Sequence, residues 1–258
     1  MLLDYHMHST YSDGRRDLAE YVAEAEKKKI DEIGFSDHIY LEKRQWSMDH
    51  ANLPKYVDDI RTLREKSLIS IKIGLEVDFI PDQMDSLMHL IKQWNPDYLI
   101  GSVHHIGYWL LDSEREIEEW KRRDVDQVYT QYFGLVQAMA KTQLFDIVGH
   151  LDLVKKFGHR PKGDLTSLML RTVEMIGKSG MCIEVNTSGL RKLCHEIYPS
   201  EKLLKMCFDN GIPITFGSDA HTPEDVGNGF DQAVALVRRV GYEEITRFTK
   251  RKRDSVRL

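Results

Sequence analysis

Short apolar runs recur along the chain, and stretches with helical spacing fill the gaps between them. Leu2 to Tyr5 reads as a first strand. From Asp17 to Lys29 the residues Leu18, Tyr21, Val22 and Ala25 fall on one helical face. Glu32 to Ser36 is a second strand, and Pro54 opens a helix that runs to about Lys66. Ile71, Ile73 and Leu75 alternate along a third strand, Ile69 to Leu75. A helix over 83–94 stops before Pro96, and Tyr98 to Val103 is the fourth strand. Val125 to Lys141 is amphipathic, with Val128, Tyr132, Leu135, Val136 and Met139 on one side. Strands at Phe145 to Val148, Met181 to Val185 and Ile212 to Phe216 alternate with helices at Leu165 to Ser179 and Pro199 to Asn210. A last helix is expected over about Pro223 to Val240, with a basic tail behind it. Residues 39–53 and 106–123 hold aromatic and charged side chains without a period, and read as loop insertions.

Strands alternating with helices at this spacing make βα units, so the fold class is α/β. A length of 258 residues suits one α/β barrel, a single domain over 1–258. Hydrophobic residues at 41% and charged residues at 30% are a soluble globular composition. The net charge of −5 argues against a dedicated polyanion binder, so no nucleic acid is expected as partner. No apolar run approaches the roughly 20 residues of a membrane helix. Cys182, Cys194 and Cys207 are an odd number without paired spacing, which suits a reducing compartment. With no basic segment and apolar core at the N-terminus, a cytoplasmic protein is expected.

The candidate chemistry lies where the apolar runs stop. His6 and His8 are one residue apart beside the first strand and point the same way if the strand continues. His38, Glu76, His104, His150, Asp219 and His221 each follow a later strand, and Asp13 lies in the loop after the first. In parallel barrels that end of the strands carries the active site. A lone strand-end histidine is more often a capped or surface residue than a ligand. Recurrence at equivalent places in one architecture favours a metal site. Imidazole and carboxylate donors without thiolate suit Zn²⁺, Mn²⁺ or Fe²⁺. Nine donors are too many for one four-coordinate ion and fit two or three if a carboxylate bridges.

His6-Met7-His8, Ser36-Asp37-His38, Glu76, His104-His105, Gly149-His150 and Ser218-Asp219-Ala220-His221 resemble the motifs of the PHP (polymerase and histidinol phosphatase) family, over essentially the whole chain. Asn186-Thr187-Ser188-Gly189-Leu190-Arg191-Lys192 and Gly217-Ser218-Asp219-Ala220-His221 resemble its histidinol-phosphatase branch. The resemblance implies a distorted (β/α)7 TIM-like barrel with three divalent metal ions. Carried onto this chain, it implies His6, His8, Glu76 and Asp219 at the first metal. Glu76 would bridge to a second with His104 and His150, and Asp13, His38 and His221 would hold the third. Asp13 stands where some relatives carry histidine. The implied activity is a phosphomonoester hydrolase that converts L-histidinol phosphate to L-histidinol and phosphate in histidine biosynthesis.

Three divalent ions against three carboxylates leave a positive site that matches a phosphate dianion and one hydroxide. A metal-bridging hydroxide held by Glu76 is the expected nucleophile, and no nucleophilic Ser or Cys motif stands out. His105 and His195 are candidate acids, and His105 also a substrate contact. Arg191, then Arg160, are candidate donors to phosphate, since a guanidinium offers a fork of N–H groups. Tyr40, Glu42, Trp46, Asp49, Tyr108, Trp109 and Asp112 in the two insertions are candidates for the substrate amine and imidazole, with no choice among them.

Two other readings compete. One is a nucleotide phosphoesterase or 3′ exonuclease, for which the basic Arg247, Lys250, Arg251, Lys252 and Arg253 would speak, although such a tail is usually a solvated helix end. The other is a metal-binding module without turnover, against which the full ligand set speaks.

Overall fold

Seven parallel strands pair in chain order: β1 (Leu3–Asp4), β2 (Glu32–Phe35), β3 (Ser70–Asp78), β4 (Tyr98–Ser102), β5 (Ile147–Val148), β6 (Cys182–Asn186) and β7 (Ile214–Gly217). The computed structural model describes residues 1–258. Main-chain bonds draw the last strand onto the first. Tyr5 N–H donates to the Phe216 carbonyl at 3.0 Å, and His8 N–H to that of Ala220 at 2.9 Å. The sheet is therefore a nearly closed seven-stranded barrel. Helices α1 (Leu18–Lys27), α2 (Leu53–Lys66), α3 (Met84–Lys92), α4 (Val125–Thr142), α5 (Thr166–Ser179), α6 (Glu201–Asp209) and α7 (Phe230–Val240) follow the strands in turn. The expected face of α1 is the buried one, and Asp17 caps it by accepting from Ala19 and Glu20 N–H.

Parity along β3 sets the inside of the barrel. Ile71, Ile73, Leu75 and Val77 alternate with Gly74, Glu76 and Asp78. Gly74 and Gly34 leave room for the Tyr98 ring, because a Cβ at either would come within 2.3 Å of that side chain. The Tyr98 hydroxyl donates to the Tyr5 carbonyl at 2.6 Å. This layer fills the barrel below Glu76 and keeps the polar groups at the strand ends together.

Three expectations need correction. The basic tail is a β-hairpin, β8 (Glu244–Thr249) with β9 (Lys252–Arg257), and not a solvated helix end. Ile245, Thr246 and Phe248 are buried, and Phe248 N–H donates to the Tyr5 hydroxyl at 3.1 Å, so the hairpin plugs the end of the barrel opposite the strand-end histidines. Two of its basic groups are held in ion pairs: Arg247 with Asp254, and Arg251 with Asp146. Next, α7 begins at Phe230. Pro223–Asp225 is a single 3-10 turn, and Gly227 (φ 63°) and Gly229 (φ 81°) turn the chain through the left-handed region before the helix starts. Last, the insertion over 106–123 is not structureless. His105–Ile106 pairs with Trp109–Leu110, and Glu114–Arg122 is a 3-10 helix. Glu118–Lys121 and Glu119–Arg122 ion pairs match its three-residue period.

Candidate metal centre

Glu76 is the hub of the rim. The short strand His38–Ile39 lies beside it in register with Glu76–Val77. Its Oε2 faces His6 Nε2 at 3.1 Å, His8 Nε2 at 3.5 Å and His38 Nδ1 at 3.0 Å. Its Oε1 faces His150 Nε2 at 3.0 Å and His104 Nε2 at 3.7 Å. Asp219, with φ 52°, turns its carboxylate to His8 Nε2 at 3.4 Å and His6 Nε2 at 3.8 Å. Asp13 faces His221 Nε2 at 3.3 Å and His38 Nε2 at 3.9 Å. Asp37 holds the loop that carries Asp13, accepting from Ser9 N–H at 2.8 Å and Ser12 N–H at 3.0 Å.

These nine side chains form four overlapping groups in which three or four donors lie within 4.8 Å of one another. They are His8, Asp13, His38 and His221; His6, His150 and Asp219; His6, His8 and Glu76; and Glu76, His104 and His150. His6 Nε2, both His8 nitrogens, His38 Nδ1, His150 Nδ1 and Glu76 Oε2 are buried without a hydrogen-bond partner. An unpaired buried polar atom costs about 1–3 kcal/mol. Cations among them would answer His6 Nε2, one nitrogen of His8, His38 Nδ1 and Glu76 Oε2, so the donor set fits divalent metal ions at more than one position. The free cysteines Cys182, Cys194 and Cys207 are absent from these groups.

Electrostatics point the same way. Burial works against the Glu76 and Asp219 charges, but the surrounding imidazoles outweigh it and hold both carboxyls well below the usual range. Burial, then His38 and His221, pushes His8 down to about 3, leaving a neutral imidazole with a free lone pair. Burial also works against the His104 and His221 charges. Asp78 and Asp112 nevertheless raise His104 to about 10, and Asp13 and Asp219 raise His221 to about 9. Two carboxylates behind the rim orient the rings. Glu184 meets His6 Nδ1 at 2.7 Å and accepts from His150 N–H at 2.8 Å. Asp78 meets His104 Nδ1 at 3.0 Å. Each directs the other nitrogen, Nε2, at Glu76.

The rim opens on a cavity of about 500 Å³. Arg191 lines it, donating to the Ser218 carbonyl at 2.9 Å and lying 3.4 Å from Asp225, while its Nη1 is buried with no partner. Lys156, held by Asp112 at 2.9 Å, also lines it, as do Arg15, Lys192, Tyr40 and Trp46. Arg160 does not reach it. Its guanidinium pairs with Glu196 at 2.8 Å. His195 is exposed in a separate depression with Glu196 and Glu201. His105 stands behind the lining, its Nδ1 held by Asp78 at 3.0 Å. Glu184, Asp78 and Lys156 were not singled out from sequence. An acid inside the apolar run Cys182–Asn186 and a second acid two residues after Glu76 were the available signals.

A sequence model described as "PHP domain" matches residues 4–188. The chain belongs to the PHP domain family. A second model, "PHP-associated", matches residues 202–232. A protein of Deinococcus radiodurans named "Probable histidinol-phosphatase" is 33% identical over 95% of this chain and 96% of its own length. The "Histidinol-phosphatase" of Bacillus subtilis is 31% identical over 88% of this chain and 96% of its own. Within the PHP family the chain thus falls in the histidinol-phosphatase branch. A crystal structure of histidinol phosphate phosphatase from Lactococcus lactis, described as complexed with Zn, L-histidinol and phosphate, superposes with a TM-score of 0.85. At 24% identity over 98% of both chains, that likeness speaks to the fold.

Proposed function

We infer that this protein is a metal-dependent phosphomonoester hydrolase that releases phosphate from L-histidinol phosphate. The observation that carries the reading is one cavity lined by seven of the nine metal donors, with the buried His6 and His8 in contact with them, and by Arg191, whose Nη1 has no partner. The names of its PHP relatives supply the substrate.

The two oxygens of Glu76 face different histidines, which supports a bridging role. His6, His8, Glu76 and Asp219 would hold a first ion, Glu76, His104 and His150 a second, and Asp13, His38 and His221 a third. Zn²⁺, Mn²⁺ and Fe²⁺ all suit such donors. When bound, divalent ions polarise phosphate oxygens and bring the pKa of a water to about 7.

The chain's own groups bind and orient the ester. Arg191 offers Nη1 to a phosphate oxygen, and its hold on the Ser218 carbonyl and Asp225 fixes the direction. Lys156, steadied by Asp112, adds a second cation to the same cavity. The Ser188 hydroxyl lies 3.0 Å from Asp219 and 2.7 Å from Asn186, so it is engaged in holding Asp219. Burial pushes the Cys182 and Cys207 thiols up and keeps them out of the cavity, which argues against a thiol nucleophile. Arg160 and His195 have no part in this reading.

Purified, metal-loaded protein tested on L-histidinol phosphate, glycerol 3-phosphate and single-stranded DNA decides the matter. Phosphate release fastest from the first is expected. Degradation of DNA alone, or silence on all three, would overturn the reading.

A further inference from the structure

Asp78, the last residue of β3, is buried, and three nitrogens converge on its carboxylate. Oδ1 accepts from the His104 main-chain N–H at 3.1 Å and lies 3.0 Å from His104 Nδ1. Oδ2 lies 3.0 Å from His105 Nδ1. The two histidines are neighbours in the chain but face different ways. His104 directs Nε2 at Glu76, 3.7 Å away. His105 stacks on Trp46 at 6.5 Å with 23° between the rings, and meets Tyr40 edge-on at 6.1 Å. Trp46 Nε1 in turn donates to the Tyr40 hydroxyl at 3.2 Å. Tyr40 and Trp46 line the cavity, and His105 braces them from behind.

One carboxylate therefore fixes a metal-facing imidazole with one oxygen and the back of an aromatic wall with the other. A carboxylate is planar and turns as a unit, so it cannot reorient toward His104 without shifting His105. A cation on His104 Nε2 requires the proton on Nδ1, which strengthens the bond to Asp78 and sets its plane. We propose that Asp78 is a positioning residue that couples the metal centre to the Tyr40–Trp46–His105 wall, and that this wall selects phosphomonoesters carrying an aromatic ring. The proposal rests on the phosphatase reading above and adds how the site prefers one ester over another.

The test uses full-length protein and two variants, Asp78→Asn and His105→Ala. Zinc affinity is read by chelator competition. Ester preference is read as the ratio of kcat/KM for L-histidinol phosphate to that for glycerol 3-phosphate, at saturating zinc. Asp78→Asn is expected to weaken zinc binding about 10- to 100-fold, as loss of a ligand's supporting partner does. It should also lower the ratio about 3- to 10-fold even when the metal sites are filled, the scale of one lost aromatic contact. His105→Ala, at a half-buried position, should lower the ratio similarly and leave zinc affinity unchanged. An unaltered ratio in either variant at saturating zinc would overturn the coupling. Unaltered zinc affinity in Asp78→Asn would overturn the positioning of His104. If the unmodified protein hydrolyses neither ester, the phosphatase reading fails instead, while the zinc titration still reports on Asp78.

Discussion

Arg191 Nη1 is a buried cationic donor with nothing to give its proton to, while the rest of the guanidinium is anchored on Ser218 and Asp225. Arg191→Ala is expected to lower kcat/KM about 10- to 100-fold, the effect of a charge-assisted bond of about 1.5–3 kcal/mol. Metal content should stay the same, because no donor group includes Arg191. Unaltered kinetics would remove it from the site. Glu76 differs in kind, because His6, His8 and His38 face one of its oxygens and His104 and His150 the other. Glu76→Ala should therefore lose two ions together in elemental analysis. Loss of one alone would contradict the bridge. Sequence exposed the residues that face the cavity because each stands where an apolar run ends. The groups behind them are Asp78, which ends β3 two residues beyond Glu76, and Glu184, within β6, where an acid in an apolar run is easily taken for an exposed position.

At the scale of elements, strand endings were legible because period-two alternation and the polar residues after it are local properties of the chain. The β8–β9 hairpin was hidden because its long basic side chains dilute a short buried set, Ile245, Thr246 and Phe248. What makes those residues a strand is distant in sequence: the Tyr5 and Tyr98 rings, whose centroids lie 6.2 and 6.4 Å from that of Phe248. The late start of α7 was hidden for a different reason, since the periodic residues run back through Val226 and only the two glycine conformations break the helix. Phe248→Ala tests the plug. Removing a buried Phe costs about 3–5 kcal/mol, so chemical denaturation should occur at markedly lower denaturant. kcat of the folded fraction should be close to that of the unmodified protein, because Phe248 lies at the other end of the barrel from Glu76. A lowered kcat with unchanged stability would mean that the hairpin acts on the site and does not only close the core.

Across the whole molecule, the barrel brings carboxylates and imidazoles together at one rim, and without metal they can satisfy one another only by holding protons. Burial works against a charge on His6, but Glu184 and Glu76 hold it well above the usual histidine range. His6, together with His104 and His221, raised to about 10 and 9, are the groups whose protons must leave before Nε2 can bind a cation. Metal uptake near pH 7.5 should therefore release protons, measurable in a weakly buffered titration, and apparent affinity should climb with pH until these groups titrate. The sign for the metal-free protein is opposite. The folded pKa values of His104 and His221 stand above the ordinary histidine value near 6.5, so their contribution to stability is fully present below about pH 6.5 and declines as pH rises through 9 to 10. Bound metal replaces that contribution, adding about 2.7 kcal/mol at a free metal concentration 100 times Kd. Thermal melts of chelator-treated and metal-loaded protein should thus diverge as pH is raised from 6.5 to 9, with the loaded form the more stable. Parallel curves over that range would mean that the rim imidazoles are already neutral without metal, and that the ions do not displace protons from them.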